Sequence, residues 1–292
     1  MQQLSKTSTL FLASEGKYIK LFFLLTLLYA SCVNAEPAYL ISVLNVGEGD
    51  SILIKNFQNN EAILVDTGTP LAGKKILDKL NAENISRLKA VIFTHPHLDH
   101  FGGMFGVVPF IKPDKFYDNG EDLKSVSKKE FIYRHYQELV RRDNYSSLRA
   151  GRQIKLADLI LDIIWPDESQ RSEDWNTNSL VLFLKYRNFK MLLMGDGNVG
   201  TEEMLAKKMC AGLKVSVLKA GHHGAKDTAS QKFLACAKPE YVIISVDKDN
   251  LLGYPDKAAL DRYKKNSEKV FLTSKDGNVE IVVNVDGGFK IG

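Results

Sequence analysis

The apolar run Ala38 to Val46 carries Leu40, Ile41, Val43, Leu44 and Val46, β-prone residues that predict a strand. Gly47-Glu48-Gly49-Asp50 reads as a turn, and Ser51 to Lys55 predicts the returning strand. Asn59-Asn60 turns the chain again, and Ala62 to Val65 predicts a third strand ending in Asp66-Thr67-Gly68. Leu71 to Leu80 places Ile76, Leu77 and Leu80 at helical spacing, and Leu88 to Phe93 is apolar enough for a buried strand. The pattern then predicts a helix from Gly102 to Val108, a short strand from Pro113 to Tyr117 and a helix from Ser127 to Arg142. That last helix would bury Phe131, Ile132, His135, Leu139 and Val140, with His135 a core residue rather than a ligand.

Beyond it, Ile154 to Trp165 reads as a hairpin and the polar Asp167 to Asp174 as a loop. Ser179 to Tyr186 and Phe189 to Met194 are strands paired across Arg187-Asn188. Helices follow at Thr201 to Met209, Asp227 to Cys236 and Asp256 to Lys264, with strands between them at Val215 to Lys219 and Tyr241 to Ser245. Three short strands, Val270 to Thr273, Val279 to Asn284 and Phe289 to Ile291, finish the chain. Strands come first and then alternate with helices, twice over, with no linker inside 38–292. This order predicts one α/β sandwich domain rather than two domains.

The chemistry gathers where predicted strands end. Thr94-His95-Pro96-His97-Leu98-Asp99-His100 follows a buried strand and precedes Gly102-Gly103. It holds three of the six histidines, and imidazoles two residues apart on extended backbone point the same way. Packing does not explain four ligand-type residues in six. Three more polar strand ends accompany it: Asp66, Asp196 in Gly195-Asp196-Gly197, and the His222-His223 pair. Taken singly, Asp66 fits an Asx turn and Gly-Asp-Gly a common turn. Taken together they fit a two-metal hydrolytic site, which needs ligands for each ion, a carboxylate between them and an open place for water. Asp196 is the natural bridge.

The first residues change the picture of where this chemistry happens. Lys17 and Lys20 precede the apolar run Leu21 to Ala30, followed by Val33-Asn34-Ala35 and Glu36-Pro37. This predicts a signal peptide over residues 1–35, cleaved after Ala35, leaving a domain over 36–292 in the periplasm or outside the cell. The apolar run is short of the roughly 20 residues of a membrane span, so no stable span is expected after cleavage. Cleavage removes Cys32. Cys210 and Cys236 remain, either paired in an oxidising compartment or kept as two buried thiols. Hydrophobic and charged contents of 45% and 25% are ordinary for a globular chain, and the net charge of +4 selects no partner. A basic segment does stand out: Lys124, Lys128, Lys129, Arg134, Arg141, Arg142, Arg149, Arg152 and Lys155. It is either a solvated face or a guide for an anionic substrate.

His95-Pro96-His97-Leu98-Asp99-His100 resembles the signature of the metallo-β-lactamase superfamily, and the resemblance extends over nearly all of Ala38 to Ile291. Within it the chain is most similar to the hydrolase domain of ComEC-like competence proteins and its stand-alone secreted relatives. The residues that carry this are Asn45-Val46-Gly47-Glu48-Gly49-Asp50-Ser51, Val65-Asp66-Thr67-Gly68, Asn176-Thr177-Asn178-Ser179, Met194-Gly195-Asp196 and Leu218-Lys219-Ala220-Gly221-His222-His223-Gly224. The resemblance implies a four-layer αββα sandwich holding two divalent ions, zinc or manganese. His95 and His97 would bind the first ion and Asp99, His100 and His222 the second, with Asp196 shared. Asp99 and Asp196 would flank the reacting water, and His223 would support it or handle protons, although the choice between His222 and His223 stays open. Asp66 would orient a ligand imidazole, with Asn176, Asn178 and Tyr254 also close by.

Two departures from the superfamily pattern matter. Asn176 and Asn178 stand where a histidine often completes the first ion's ligands, which implies a weaker first site. Tyr254-Pro255 and Ala225 replace a late His-Pro and a serine after His-His-Gly, so only the tyrosine hydroxyl is left to donate there. The expected activity is an exported metal-dependent hydrolase acting on a phosphodiester, nucleic acid among the candidates. The alternatives are a weakly metallated module that holds a polyanion without turning it over, and a hydrolase of a lactam, thioester or lactone.

Overall fold

Alternation along the strands divides their side chains between two faces, and this sets the layers. In β1 (Pro37–Val43), Tyr39, Ile41 and Val43 point into a central core, as do Ile63 and Val65 of β3 (Ala62–Val65). Ala62 and Leu64 of β3 instead join an outer cluster with Ile76, Leu80, Phe101, Met104 and Tyr136 from covering helices. On the second sheet, Leu182 and Leu184 of β9 (Val181–Tyr186) meet the same central core, while Val181 and Phe183 face a third cluster. That cluster takes Leu205, Phe233, Ala259 and Tyr263 from helices on the far side. Three apolar interfaces between four layers make an αββα sandwich, as the resemblance implied.

The computed structural model describes residues 35–292 apart from 129, 143 and 170. The α/β unit is Pro37–Gly292. The expected signal peptide lies outside the described residues except for Ala35, and so does Lys129 of the basic segment. No helix among the described residues is long and apolar enough to cross a membrane.

The remaining strands are β2 (Ile52–Asn56), β4 (Leu88–Ile92), β5 (Phe116–Asp118), β6 (Tyr145–Ser147), β7 (Gln153–Leu156), β8 (Leu159–Trp165), β10 (Phe189–Leu193), β11 (Val217–Lys219), β12 (Tyr241–Ile244), β13 (Lys269–Leu272), β14 (Val279–Asn284) and β15 (Phe289–Ile291). One sheet runs β15-β14-β1-β2-β3-β4-β5-β6, the other β13-β12-β11-β10-β9-β8-β7. The pairs from β3 to β6 are parallel, and so are those from β10 to β13. In each run, therefore, the C-terminal ends lie on one edge, where sites of layered α/β proteins form. Asp66, the His95–His100 segment, Asp196 and His222-His223 all leave strands at those ends.

Two expectations need correction. The helix foreseen over Ser127 to Arg142 is a short turn at Lys124–Ser127 and a separate helix at Phe131–Val140. The buried face of that helix is Tyr133, Tyr136 and Val140, whereas Phe131 is 67% exposed. His135 is not core: it stacks at the surface beside Phe105 and Phe131.

The reason lies in Asp118, at the end of β5. Its carboxylate accepts from Tyr136 Oη (2.9 Å), Tyr145 Oη (2.6 Å) and Arg141 Nε (2.9 Å), which rotates the helix to aim tyrosine inward. The basic segment is likewise partly committed to the interior. Arg141 also donates to Glu121 O at 2.7 Å, and Arg149 donates to Asn119 O and Leu148 O. These arginines hold the 118–121 loop. Lys128, Arg134 and Arg152 of the segment are exposed. Cys210 and Cys236 are bonded to each other, joining the end of helix Val199–Met209 to helix Gln231–Ala237.

Candidate metal centre

After β4 the chain bends through 94–96, is extended at His97 and then turns into a short helix, Leu98–Phe101. This puts His95 and His97 ahead of the helix, on the bend and at its cap, and Asp99 and His100 on the first helical turn. The β1–β2 loop packs on that turn. A Cβ on Gly49 (φ +88°) would lie 1.7 Å from Asp99 O, so only glycine allows the approach.

The side chains converge as two sets sharing one carboxylate. His95, His97 and Asp196 form the first, and Asp99, His100, Asp196 and His223 the second. In the first, His95 Nε2 is 2.9 Å from His97 Nδ1 and 3.6 Å from Asp196 Oδ2. In the second, Asp196 Oδ1 is 3.2 Å from His100 Nε2 and 3.5 Å from His223 Nε2, while Asp99 Oδ2 is 3.7 Å and 3.5 Å from the same two nitrogens. Asp196 thus turns one oxygen to each set.

The far sides of the rings are held by the protein. His95 Nδ1 lies 3.1 Å from Thr94 Oγ1, and that hydroxyl donates to Asp66 Oδ2 at 2.8 Å. His100 Nδ1 donates to Asp66 Oδ2 at 2.9 Å, and His223 Nδ1 to Ser245 O at 3.1 Å. Asp66 takes a further bond from Thr94 N at 2.7 Å. This fixes the tautomers and aims each Nε2 lone pair into the cleft, the usual support of a metal-binding imidazole.

The residues fit a metal. His100 Nε2, His223 Nε2 and Asp196 Oδ1 are buried, point together and make no hydrogen bond. Buried polar atoms rarely go unpartnered, and three that converge call for a cation. Imidazole and carboxylate donors suit zinc, manganese or iron. Electrostatics agrees. Burial opposes charge on His100, yet Asp196, Asp99 and Asp66 hold its pKa well above that of an ordinary histidine. His223 is raised in the same way, against burial, by Asp196, Asp99 and Asp50. Burial pushes His95 well down and lowers His97. Burial opposes the Asp196 charge, but His100 and His223 keep its carboxyl well below the usual range.

His222, expected as the second ion's ligand, is not in that set. Both residues of the pair have left-handed backbone (φ 45° and 53°), and the turn sends only His223 inward. His222 Nε2 faces Asn176 Nδ2 at 3.2 Å and its Nδ1 faces Asp227 at 3.4 Å. Asn176 lies beside His97, whose charged form it favours, and its Oδ1 is buried without a hydrogen-bond partner, so it borders the first set. Asn178 does not: its amide donates to Glu121 Oε1 and Ser172 O and accepts from Ser172 N. The Tyr254 ring stands 5.6 Å from His222 and 6.3 Å from His223, on the cleft wall with Leu252 and Asp247. Thr94, Asp50 and Lys219, inside the motifs, and Trp175, outside them, take part without a role that the sequence alone assigned. The Trp175 ring lies 5.4 Å from His97.

Residues 44–246 match the profile of the metallo-beta-lactamase superfamily. The chain belongs to that superfamily. Its two donor sets make it a metal-dependent hydrolase. It is 24% identical to ComE operon protein 3 of Bacillus subtilis, over 85% of this chain and 33% of that protein. It is 28% identical to Recombination protein 2 of Haemophilus influenzae, over 85% of this chain and 29% of that one. The chain therefore spans about a third of the length of these relatives. Among solved structures, the metallo-beta-lactamase fold protein YhfI of Bacillus subtilis superposes with a TM-score of 0.52 at 10% identity, covering 87% of this chain and all (100%) of that one. This likeness concerns the fold.

Proposed function

We propose that this metallo-beta-lactamase superfamily member hydrolyses a phosphodiester, with zinc as its metal. The observation that carries the reading is Asp196, whose two oxygens serve two donor sets. A paired cation site is the arrangement suited to both the attacking and the leaving oxygen of an in-line displacement. Similarity to proteins named for competence and recombination supports the same substrate class. Divalent cations bound there would supply Lewis acidity and a water acidified toward neutral pH. The chain's own residues fix the rest. His95, His97 and Asp196 hold the first ion, and Asp99, His100, Asp196 and His223 the second. Asp66 keeps His100 in register, and Ser245 O does so for His223. Tyr254 offers a hydroxyl on the cleft wall.

One observation favours a second reading, hydrolysis of a lactam, thioester or lactone. The cavity beside Asp99 and His223 is walled by Glu48, Val246, Asp247, Leu252 and Tyr254, and among the described residues no lysine or arginine lines it. Zinc-loaded protein assayed against bis(p-nitrophenyl) phosphate, single-stranded and duplex DNA, a chromogenic cephalosporin and a lactone decides between the two. Turnover of the diesters, lost with a chelator, is expected. Turnover confined to the cephalosporin or lactone would replace the first reading with the second.

We also infer export. The signal pattern at 17–35 and the bonded Cys210–Cys236 pair both suit an oxidising compartment. Mature protein should begin at Glu36 on N-terminal sequencing, and an intact cytoplasmic chain would overturn export.

A further inference from the structure

Behind the second donor set lies a third. Asp50, Asp66 and His100 bring ligand atoms within 4.8 Å of one another, and all three side chains are buried. Asp66 is fully engaged by Thr94 and His100. Asp50 is not engaged by an imidazole. Its Oδ2 lies 2.8 Å from Lys219 Nζ, and its Oδ1 has no hydrogen-bond partner and stands 3.8 Å from His223 Nδ1. Lys219 is 0% exposed and Asp50 1%. The ammonium also donates to Ala220 O at 2.8 Å.

Lysine is almost never fully buried, because an ammonium taken out of water costs several kcal/mol unless its partners repay it. A methionine or leucine would fill the same place in β11 without that cost. The charge therefore calls for a reason beyond packing, and its surroundings supply one. Asp50, Asp66, Asp99 and Asp196 crowd around His100 and His223. Carboxylates so close attract divalent cations through oxygen donors wherever two or three can reach. A cation drawn between Asp50 and Asp66 would compete for His100 from its Nδ1 side and pull that ring away from Asp196.

We propose that Lys219 is a resident cation. Its ammonium closes the Asp50–Asp66–His100 cluster and confines divalent metal to the two positions that share Asp196. Covalently held, it cannot exchange, so the third cluster stays neutralised at any metal concentration. The pair also ties the β1–β2 loop, which carries Gly49 against Asp99, to the strand that delivers His223. Lys219 is thus a positioning residue for metal rather than a group that touches substrate. The inference rests on the metal assignment above and goes beyond it, to what keeps the metal count at two.

The test uses metal-free protein titrated with zinc, bound ions counted after equilibrium dialysis, and the visible spectrum of the cobalt(II) form. Lys219→Met removes the charge and nearly keeps the length. Wild type is expected to bind two ions, and Lys219→Met a third, with an altered cobalt spectrum. Asp50→Asn leaves the buried ammonium without its carboxylate, on the strand that delivers His223, and should weaken the second ion about tenfold, the low end of what disturbed support of a metal ligand costs. The double variant Asp50→Asn/Lys219→Met should return to two ions and the wild-type spectrum. A purely structural ion pair would lower stability in each variant and leave count and spectrum alone. Two ions with an unchanged spectrum in Lys219→Met overturn the proposal and leave the metal assignment standing. A wild type that takes up no metal overturns both. Should Lys219→Met fail to fold, the other two variants decide: recovery in the double variant supports the proposal, and equal weakness in both overturns it.

Discussion

Asn176 Nδ2 lies 3.2 Å from His222 Nε2, and the same asparagine stands beside His97 and favours its charged form. It therefore stands at the border of the first donor set, where a third imidazole would complete three nitrogen ligands. An amide oxygen is a neutral and weaker donor to zinc than imidazole. Asn176→His should raise the first ion's affinity by tenfold or more and make it the slower of the two to leave to a chelator. Asn178→His should do neither. It breaks the bonds to Glu121 and Ser172 and should cost about 2 kcal/mol of stability. Metal titration and thermal unfolding of both variants separate these outcomes. An unchanged first affinity in Asn176→His would remove Asn176 from the site.

The adjacent histidines make a sharper contrast. His223→Ala should lose the second ion and the activity with it, because Nε2 of His223 is one of the converging unpartnered atoms. His222→Ala should keep two ions bound, since its nitrogens face Asn176 and Asp227. Ion counting on the two purified variants checks this, and loss of the second ion in His222→Ala with retention in His223→Ala would reverse the assignment.

Most of the centre could be read from the sequence because its ligands sit at strand ends, and strand ends announce themselves by a switch from apolar to polar residues. His95, His97, Asp99, His100 and Asp196 all come from such switches, and the structure brings them together. Other features depend on partners distant in the chain. His222 and His223 are neighbours of one residue type, and only the left-handed turn decides which points inward. Lys219 occupies a strand position that reads as apolar, and its partner Asp50 belongs to the other sheet's first loop. Helix Phe131–Val140 carries two plausible apolar faces. The choice falls to Tyr133 and Tyr136 because Tyr136 reaches Asp118, a contact that periodicity cannot reveal.

Asp196 and Asp66 act at different ranges. Asp196→Ala removes an oxygen from both sets and should abolish stable binding of either ion together with hydrolysis. Asp66→Asn keeps the volume but weakens the direct support of His100 Nδ1, so the second ion should weaken by roughly 10- to 100-fold and the first less, since Asp66 reaches His95 only through Thr94 Oγ1. Full activity in Asp196→Ala would overturn the dinuclear reading, and equal loss of both ions in Asp66→Asn would contradict the division of ligands.

Arg141 belongs to the interior rather than to a substrate track. Its guanidinium pairs with Asp118, and both side chains are largely buried. Arg141→Ala should destabilise the fold by about 3 kcal/mol through the carboxylate it strands. The salt dependence of substrate binding should not change. If unfolding is unaffected while binding loses its salt dependence, Arg141 serves the substrate after all.

The two metal positions should also differ in their response to pH. Against burial, carboxylates raise His100 and His223 above ordinary histidine, so in the metal-free chain both rings keep a second proton to higher pH than an ordinary histidine does. Burial lowers His95 and His97, which give up that proton at lower pH. Metal requires the unprotonated ring. Uptake at the second position must therefore expel protons that uptake at the first need not, and the second ion's affinity should climb with pH more steeply. Acidification then works chiefly against the second ion and narrows its lead over the first. Calorimetric titration in buffers of different ionisation enthalpy measures the protons released with each ion. Greater release with the tighter ion is expected, and equal release with both would mean that the carboxylates do not favour the protonated rings of His100 and His223.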